Sequence, residues 1–507
     1  MSNLRWGAIP LLLCTTWVGC SDPEPTPTPE PDTSVRVKRT LRNLTASGFT
    51  ERPEDFTRNP VELFLEQGDA LVPVTGAAGG PGEYVFPDVP DATYYVRFGT
   101  SYVVTTARSV DLGVNLLGRP DAPELETDSP VQLALSGLEP WYEASGPFGA
   151  ENPSDEFLFV SEERGYAANM SPMTLSGGET SVNEGEVLMF GLTGMMPRFE
   201  AERGDRAWVV QLSSRELGTL PGGRVQRYAT ATRALHLPPF SHDGTGPLSL
   251  EGALQPLSQA ELALDWKVSD FAAHAAEVHP RATLNSSTFS LYPSAYGTSE
   301  GWIGYSGELL HLGRPRGEPS DFTGRLAYGN PFPSSWGLVA QVNHSFVVEL
   351  TIPDEPPVRV TANISVSNLP SRLLAGPVRP SLLPPRDLTL DGAEGYSSRA
   401  FAAGAHVVGW KPPSTGTPEA YTVSLRRLED LGGFRIAIPT AQFYLEAGAT
   451  SVRLPAGLLQ PGEHYVVLVR AVEVEGHSAS GKPFTLGESI DYSSAATLSG
   501  LLSIPAE

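Results

Sequence analysis

Val358-Arg359-Val360-Thr361-Ala362-Asn363-Ile364-Ser365-Val366 places an apolar residue at every second position over nine residues. Successive side chains of a strand point to opposite faces, so this segment is read as a strand with one face buried and one wet. Outward from it, Phe346-Val347-Val348-Glu349-Leu350 and Trp208-Val209-Val210-Gln211-Leu212 read as further strands of the same region. One helix interrupts them: Ser269 or Asp270 can cap Phe271–Val278, and Pro280 stops it. With 51 glycines and 47 prolines in 507 residues, the chain is built for turns between short strands, not for long helices. The expected fold is all-β, several β-sandwich domains in series with one short helix in the middle region. That region, residues 122–383, is one domain or two, and its pattern fits either.

Toward the C-terminus, Pro384-Pro385-Arg386-Asp387-Leu388 reads as a first strand, and Ala405-His406-Val407-Val408-Gly409-Trp410 as a strand carrying a core tryptophan. Tyr421-Thr422-Val423-Ser424-Leu425 alternates, and Leu459-Gln460-Pro461-Gly462-Glu463-His464-Tyr465 leads into a buried strand, Val466–Val472. These features resemble fibronectin type III domains over residues 384–507. The resemblance implies a tyrosine corner, with the Tyr465 hydroxyl bonded back to the backbone of its own turn. An insertion around Leu428–Gly433 and the long final loop are departures from the family pattern.

Toward the N-terminus, Val61–Leu65 and Tyr94–Phe98 read as strands flanking the run GEYVFPDVPDATYYV, Gly82–Val96. Gly82, Tyr84, Phe86, Val89, Pro90, Tyr94 and Val96 resemble the recurring pattern of carboxypeptidase regulatory-like, or transthyretin-like, sandwiches, with Ala92 in place of the turn glycine. The resemblance covers residues 35–121. It implies a spacer or stalk module and brings no catalytic residues.

Before it, Arg5 opens a short basic region, an apolar run follows from Trp6 to Val18, and Gly19-Cys20 precedes the polar tract PEPTPTPEPDT. A basic start, a short apolar stretch and a small residue before the cleavage point mark a secretory signal, residues 1–19. The run contains Pro10 and is shorter than the roughly twenty residues a span needs. Cysteine after the small residue resembles the lipobox of bacterial lipoproteins, although Trp17 stands where leucine is usual. The resemblance implies that Cys20 is diacylated and becomes the mature N-terminus. Residues 20–34 then form a proline-stiffened tether with no apolar side chain to order it. Taken together, the chain resembles modular surface lipoproteins of myxobacteria and similar Gram-negative bacteria, which implies an outer-membrane lipoprotein facing the periplasm or the cell surface.

The formal net charge of −23, with four lysines and no basic cluster, argues against nucleic acid and against anionic membrane surfaces as partners. Cys14 and Cys20 are the only cysteines, and one leaves with the signal. No disulfide, cysteine nucleophile or thiolate metal site is expected, so stability rests on apolar burial.

Weak constellations complete the inventory. Gly297-Thr298-Ser299-Glu300-Gly301 matches the G-x-S-x-G string of serine hydrolases, but the Gly-rich residues after it cannot start the helix that exposes such a serine. His274, Glu277 and His279 miss the one-turn spacing of zinc motifs, and a solvent-facing helix end is the expected reading. Arg203-Gly204-Asp205 is an adhesion-like tripeptide that a surface turn with a local ion pair explains equally well. The richest feature is aromatic: eight rings lie between Tyr292 and Trp336. Of these Trp302, Tyr305, Tyr328 and Trp336 are candidates for a sugar-stacking face, with Asp321, Arg325, Asn330 and Asn343 as hydrogen-bonding neighbours. The competing reading is that they pin loops to the core.

No catalytic residue, metal or cofactor is assigned. The expectation is a non-enzymatic, lipid-anchored envelope protein that displays binding or spacer modules, with the membrane as one partner and a glycan or a surface protein as the other. Its rivals are a glycan or peptide hydrolase with carboxylates in the middle region, and a purely structural or assembly component of the outer membrane.

Overall fold

In the computed structural model the strand Val358–Asn368 runs antiparallel to Gly337–Leu350, from Val358↔Leu350 to Asn368↔Ala340. Its burial alternates as far as Ala362, beyond which Ile364, Ser365, Val366 and Ser367 are all buried. The loss of the wet face has a tertiary cause. The other edge of this half of the strand pairs with Tyr492–Leu498 near the C-terminus, and Ser367 Oγ donates to the Ile490 carbonyl at 3.0 Å. The structure describes residues 33–506 except 69, 122, 126–128, 145–150, 221–222, 297, 299–300, 353–354 and 434. The signal segment, Cys20 and the tether up to residue 32 lie outside the described residues.

Four sandwiches follow one another. In the N-terminal one, Val35–Lys38 lies between Ser109–Asp111 and Glu83–Phe86, facing the sheet of Val61–Gln67, Tyr94–Phe98 and Ser101–Thr105. Phe86, Val89, Tyr94 and Val96 of the quoted run fill its core, as the alternation requires. A hairpin, Thr40–Thr45 with Gly48–Pro53, pairs with Val114–Leu117 as a separate small sheet. The middle region builds two sandwiches. One closes over Leu133, Phe157, Phe159, Met170 and Phe199, with the long pair Ala207–Thr219 and Val225–Leu237 in its larger sheet. The next packs Thr283–Ser294, Gly337–Leu350 and Val358–Asn368 against the pair Gln259–Trp266 and Phe322–Gly329. The expected helical stretch forms two short turns, Val268–Ala272 and Ala275–Val278. The N–H and hydroxyl of Ser269 donate to Asp321, at 3.0 and 2.8 Å, so the capping oxygen comes from a residue distant in sequence.

In the C-terminal sandwich Arg386–Leu390, His406–Lys411 and Ser451–Leu454 form one sheet, and Ala420–Asp430, Arg435–Glu446, His464–Glu473 and Tyr492–Leu498 the other. Trp410 is buried against Tyr421, with ring centroids 5.4 Å apart. The Gln460 N–H donates to the Tyr465 hydroxyl at 3.0 Å, which fixes the turn.

The units also join edge to edge. Ser101–Val104 pairs in parallel with Gln442–Leu445, Ile364–Ser367 pairs with Tyr492–Ala495, and Ala229–Thr230 pairs with Leu310–His311. A hydrogen-bonded ladder of 22 strands therefore runs through all four sandwiches. Each join satisfies a strand edge that would otherwise be open to a foreign strand. Among the described residues no helix is long and apolar enough to cross a membrane.

Candidate functional site

The first and last sandwiches meet, so the four units line a shared, open cavity of about 560 Å3. That is within the roughly 300–1,000 Å3 of small-molecule sites, which favour domain interfaces. The N-terminal hairpin sheet supplies Asn43, Arg52 and Asn115, and the second unit Arg164 and Thr193. The third supplies Tyr292, Trp302, Tyr305 and Gln341, and the last supplies Glu488.

Local chemistry holds each wall. Gly118 and Gly165, both with positive φ, let the N-terminal chain touch the second unit. A Cβ on Gly165 would stand 2.1 Å from the Leu117 carbonyl oxygen, and one on Gly118 2.5 Å from the Gly165 nitrogen. The Trp302 loop is tied to the C-terminal unit by Ile303 N–H to Glu488 O at 2.7 Å and Ile490 N–H to Gly301 O at 3.0 Å. Tyr292 donates to Gln341 Oε1 at 3.1 Å and tilts against Tyr305, centroids 5.5 Å apart.

Several polar atoms of this wall are buried without a hydrogen-bond partner among the described residues: Trp302 Nε1, Asn43 Oδ1, Asn115 Oδ1, Glu488 Oε2, and Arg164 Nε and Nη1. Burial pushes the Glu488 carboxyl up to about 7. Burial, then the neighbouring Arg119 charge, draws Arg164 down to about 10 against the pull of Asp205. These atoms are shut off from solvent as well as from partners, so they belong to the packed wall behind the cavity and are a cost of joining the units there.

Of the four aromatic candidates, Trp302 and Tyr305 border this cavity. Trp336 does not: it stacks on Phe332 at 4.6 Å and meets Trp208 edge-on at 5.7 Å in the core between the second and third units. Tyr328 is half-buried on Phe322–Gly329, packed against the core of the third unit. The four rings do not share one exposed face. Their expected polar neighbours are engaged elsewhere: Asp321 with Ser269, Arg325 with Glu261, Asn330 with the Phe332 N–H, and Asn343 with Ser365. The residues that the aromatic window left out, Asn43, Arg52, Arg164 and Glu488, come from other units and share no local motif with it.

The other constellations resolve as follows. Asp205 of the adhesion-like tripeptide is fully buried between Arg119 (2.9 Å) and Arg164 (3.6 Å), and Arg203 pairs with Asp121. His279 is buried, 1 % exposed, and its Nε2 meets the Tyr396 carbonyl oxygen at 3.2 Å, so that helix end does not face solvent. His274 instead pairs with Glu277 at 2.8 Å. No cluster suited to a metal ion occurs among the described residues. Gly297 and Ser299 of the hydrolase-like string lie outside the described residues.

Beside Tyr292 and Tyr305, carboxyl groups of the second and third units converge. Burial, reinforced by the Glu308 carboxylate, pushes Glu156 up to about 7. Burial alone would lower His311, but the hydrogen-bonded Glu308 (3.1 Å) raises it. Ser290 Oγ lies 3.1 Å from the same ring nitrogen, Nδ1. A serine–histidine–acid relay uses both ring nitrogens, so these three residues do not form one.

No family model matches the chain, and no curated protein matches it. Among solved structures, the FN1–FN3 domains of chicken CNTN1 are similar at 10 % identity and a TM-score of 0.13, covering 67 % of this chain and 93 % of that one. A Salmonella alpha-2-macroglobulin reacted with methylamine is similar at 10 % identity and a TM-score of 0.15, covering 94 % of this chain and 39 % of that one.

Proposed function

We propose that this is a non-enzymatic binding protein of the bacterial envelope, held at the outer membrane by a lipid on Cys20, with a glycan as ligand in the cavity where its four sandwiches meet. The observation that carries the reading is that cavity, lined by the aromatic residues Trp302, Tyr292 and Tyr305 beside the polar residues Gln341, Asn43, Asn115 and Glu488. Sugars match such a wall because a pyranose offers flat C–H faces to rings and hydroxyls that both donate and accept. The acidic tether and the rigid ladder would hold this site away from the bilayer. Two experiments test the reading. Cys20→Ala should move the protein from the membrane to the soluble fraction, and unchanged fractionation removes the anchor. Trp302→Ala and Tyr305→Ala should each weaken binding to the glycans the unaltered protein selects on an array, and an array on which it selects none removes the ligand class.

The Glu156 and Glu308 carboxyl groups favour a second reading, a glycan hydrolase in which Glu156 serves as the acid. Hydrolysis depends on two carboxyl groups flanking the scissile bond. Release of reducing ends from a bound oligosaccharide, abolished in Glu156→Gln, would establish it over the non-enzymatic one.

A further inference from the structure

We infer that the outer face of the C-terminal sandwich's larger sheet holds an anion site, in which Arg426 and Arg470 together receive a tetrahedral oxyanion, phosphate or sulfate. Arg426 lies on Ala420–Asp430 and Arg470 on His464–Glu473, and both are half-buried. The register pairs Thr422 with Arg470, Ser424 with Leu468 and Arg426 with Val466. Directly paired residues project from the same face, so both arginines stand on the side away from Tyr421 and its neighbour Trp410. Arg426 Nε donates to Ser424 Oγ at 3.4 Å, which turns its side chain back along the strand toward Arg470.

Neither arginine forms an ion pair among the described residues, whereas Arg427, Arg435 and Arg453 of the same sandwich each pair with a glutamate. The one charge that acts on Arg426 is that of Arg470, and burial, then this like charge, draws the Arg426 guanidinium down. The terminal Nη atoms of both side chains make no hydrogen bond among the described residues. Arg470 Nε is shut off from solvent, but none of those terminal atoms is. Two like charges held together partly out of water repel, and an anion between them removes that cost. The neighbouring rows add polar groups and no acid: Thr422 pairs with Tyr444, Ser424 with Gln442, and Gln442 with Ser101. Their hydroxyl and amide groups can donate to an oxyanion. One guanidinium fork satisfies a carboxylate, while a phosphate or sulfate offers oxygens in several directions and can meet two forks at once. None of these residues lines the shared cavity, so the site is independent of the glycan reading.

The test is titration calorimetry on the full chain in detergent, in a low-salt buffer free of phosphate and sulfate. The probes are inorganic phosphate, sulfate, glycerol phosphate and acetate. Phosphate or sulfate should bind about tenfold or more tighter than acetate, and added sodium chloride should weaken that binding. Arg426→Met and Arg470→Met, which keep the packing of the stem and remove one charge, should each weaken it about tenfold or more. Without any anion each variant should melt no lower than the unaltered protein, because a like-charge contact is gone. Phosphate should raise the Tm of the unaltered protein and leave that of the variants nearly unchanged. Tighter binding of phosphate than of glycerol phosphate assigns the site to the free ion, and the reverse order to a phosphate ester. No binding of phosphate or sulfate, equal binding of acetate, or binding that survives both substitutions overturns the site. A variant that melts lower without anion overturns it too, since its arginine would then be satisfied within the protein.

Discussion

Replacing Trp336 by alanine separates the aromatic residues that pack the core from those that line the cavity. Its indole is 5 % exposed, stacks on Phe332 at 4.6 Å with planes 13° apart, and meets the edges of Trp208 and Tyr296 at 5.7 and 6.2 Å. These rings, with Leu158, Val160 and Val210, join the outer face of the second sandwich to the loops of the third. Truncation leaves a hole that neighbouring strands, fixed by their ladders, cannot collapse to fill, so the cost is about 3–5 kcal/mol. Each kcal/mol lowers Tm by about 2–4 °C in a unit of roughly this size, giving a fall of about 6–20 °C. Four joined sandwiches need not unfold in two states. The measurement is therefore the displacement of the calorimetric transition belonging to the second and third units. Glycan affinity at 25 °C should stay within about twofold of the unaltered protein. An unchanged transition together with lost binding would refute this placement and return Trp336 to the ligand face.

Trp410→Ala should cost the C-terminal sandwich about 3–5 kcal/mol, checked by urea denaturation of the full chain followed through proteolysis of that unit; full resistance to the protease would contradict a core position. Gly165→Ala should push the Leu117 backbone away and open the junction, reducing glycan binding and speeding hydrogen exchange at Leu117 and Gly118; an unchanged exchange pattern would show that this contact is not needed. Glu156 keeps its proton in the folded protein to about pH 7, against an ordinary value of 4.5. Its contribution is therefore full below about pH 4.5 and is lost as pH rises through about 7. The transition of the second and third units should fall between about pH 5 and about pH 8, and Glu156→Gln should flatten that slope; an equal slope in both proteins assigns the effect to other groups.

The fold was legible where the signal is local. Alternation in Val358–Val366 and the turn before Tyr465 depend on neighbouring residues, and both segments form the strand and the corner expected. The wet face predicted for Ile364–Val366 was lost to a strand more than a hundred residues later, which no short pattern encodes. The cap of the first helical turn has the same origin, since Asp321 rather than a neighbour receives the Ser269 hydrogen bonds. The cavity was legible only by half. Ring density covered Trp302 and Tyr305, which line the cavity, but also Trp336, because an indole packed in a core and one beside a cavity are alike in sequence. Arg164 and Glu488 gave no signal: their burial and their place beside the cavity are properties of the assembled units.

The pairing of Ser101–Thr105 with Arg435–Glu446 also governs how the protein is made. The hydrogen bond from Thr105 to Glu446 closes a loop of 341 residues. At about 5–20 residues per second, the ribosome leaves the partner of that early strand unsynthesised for tens of seconds. Throughout that interval a nascent sandwich carries a naked edge able to recruit a strand from another molecule. The last hundred residues thus act as a deadline for folding. Premature termination after the third sandwich would release a chain whose main hazard is self-association, and a chaperone that caps sheet edges would raise the yield of the complete protein far more than that of any single sandwich.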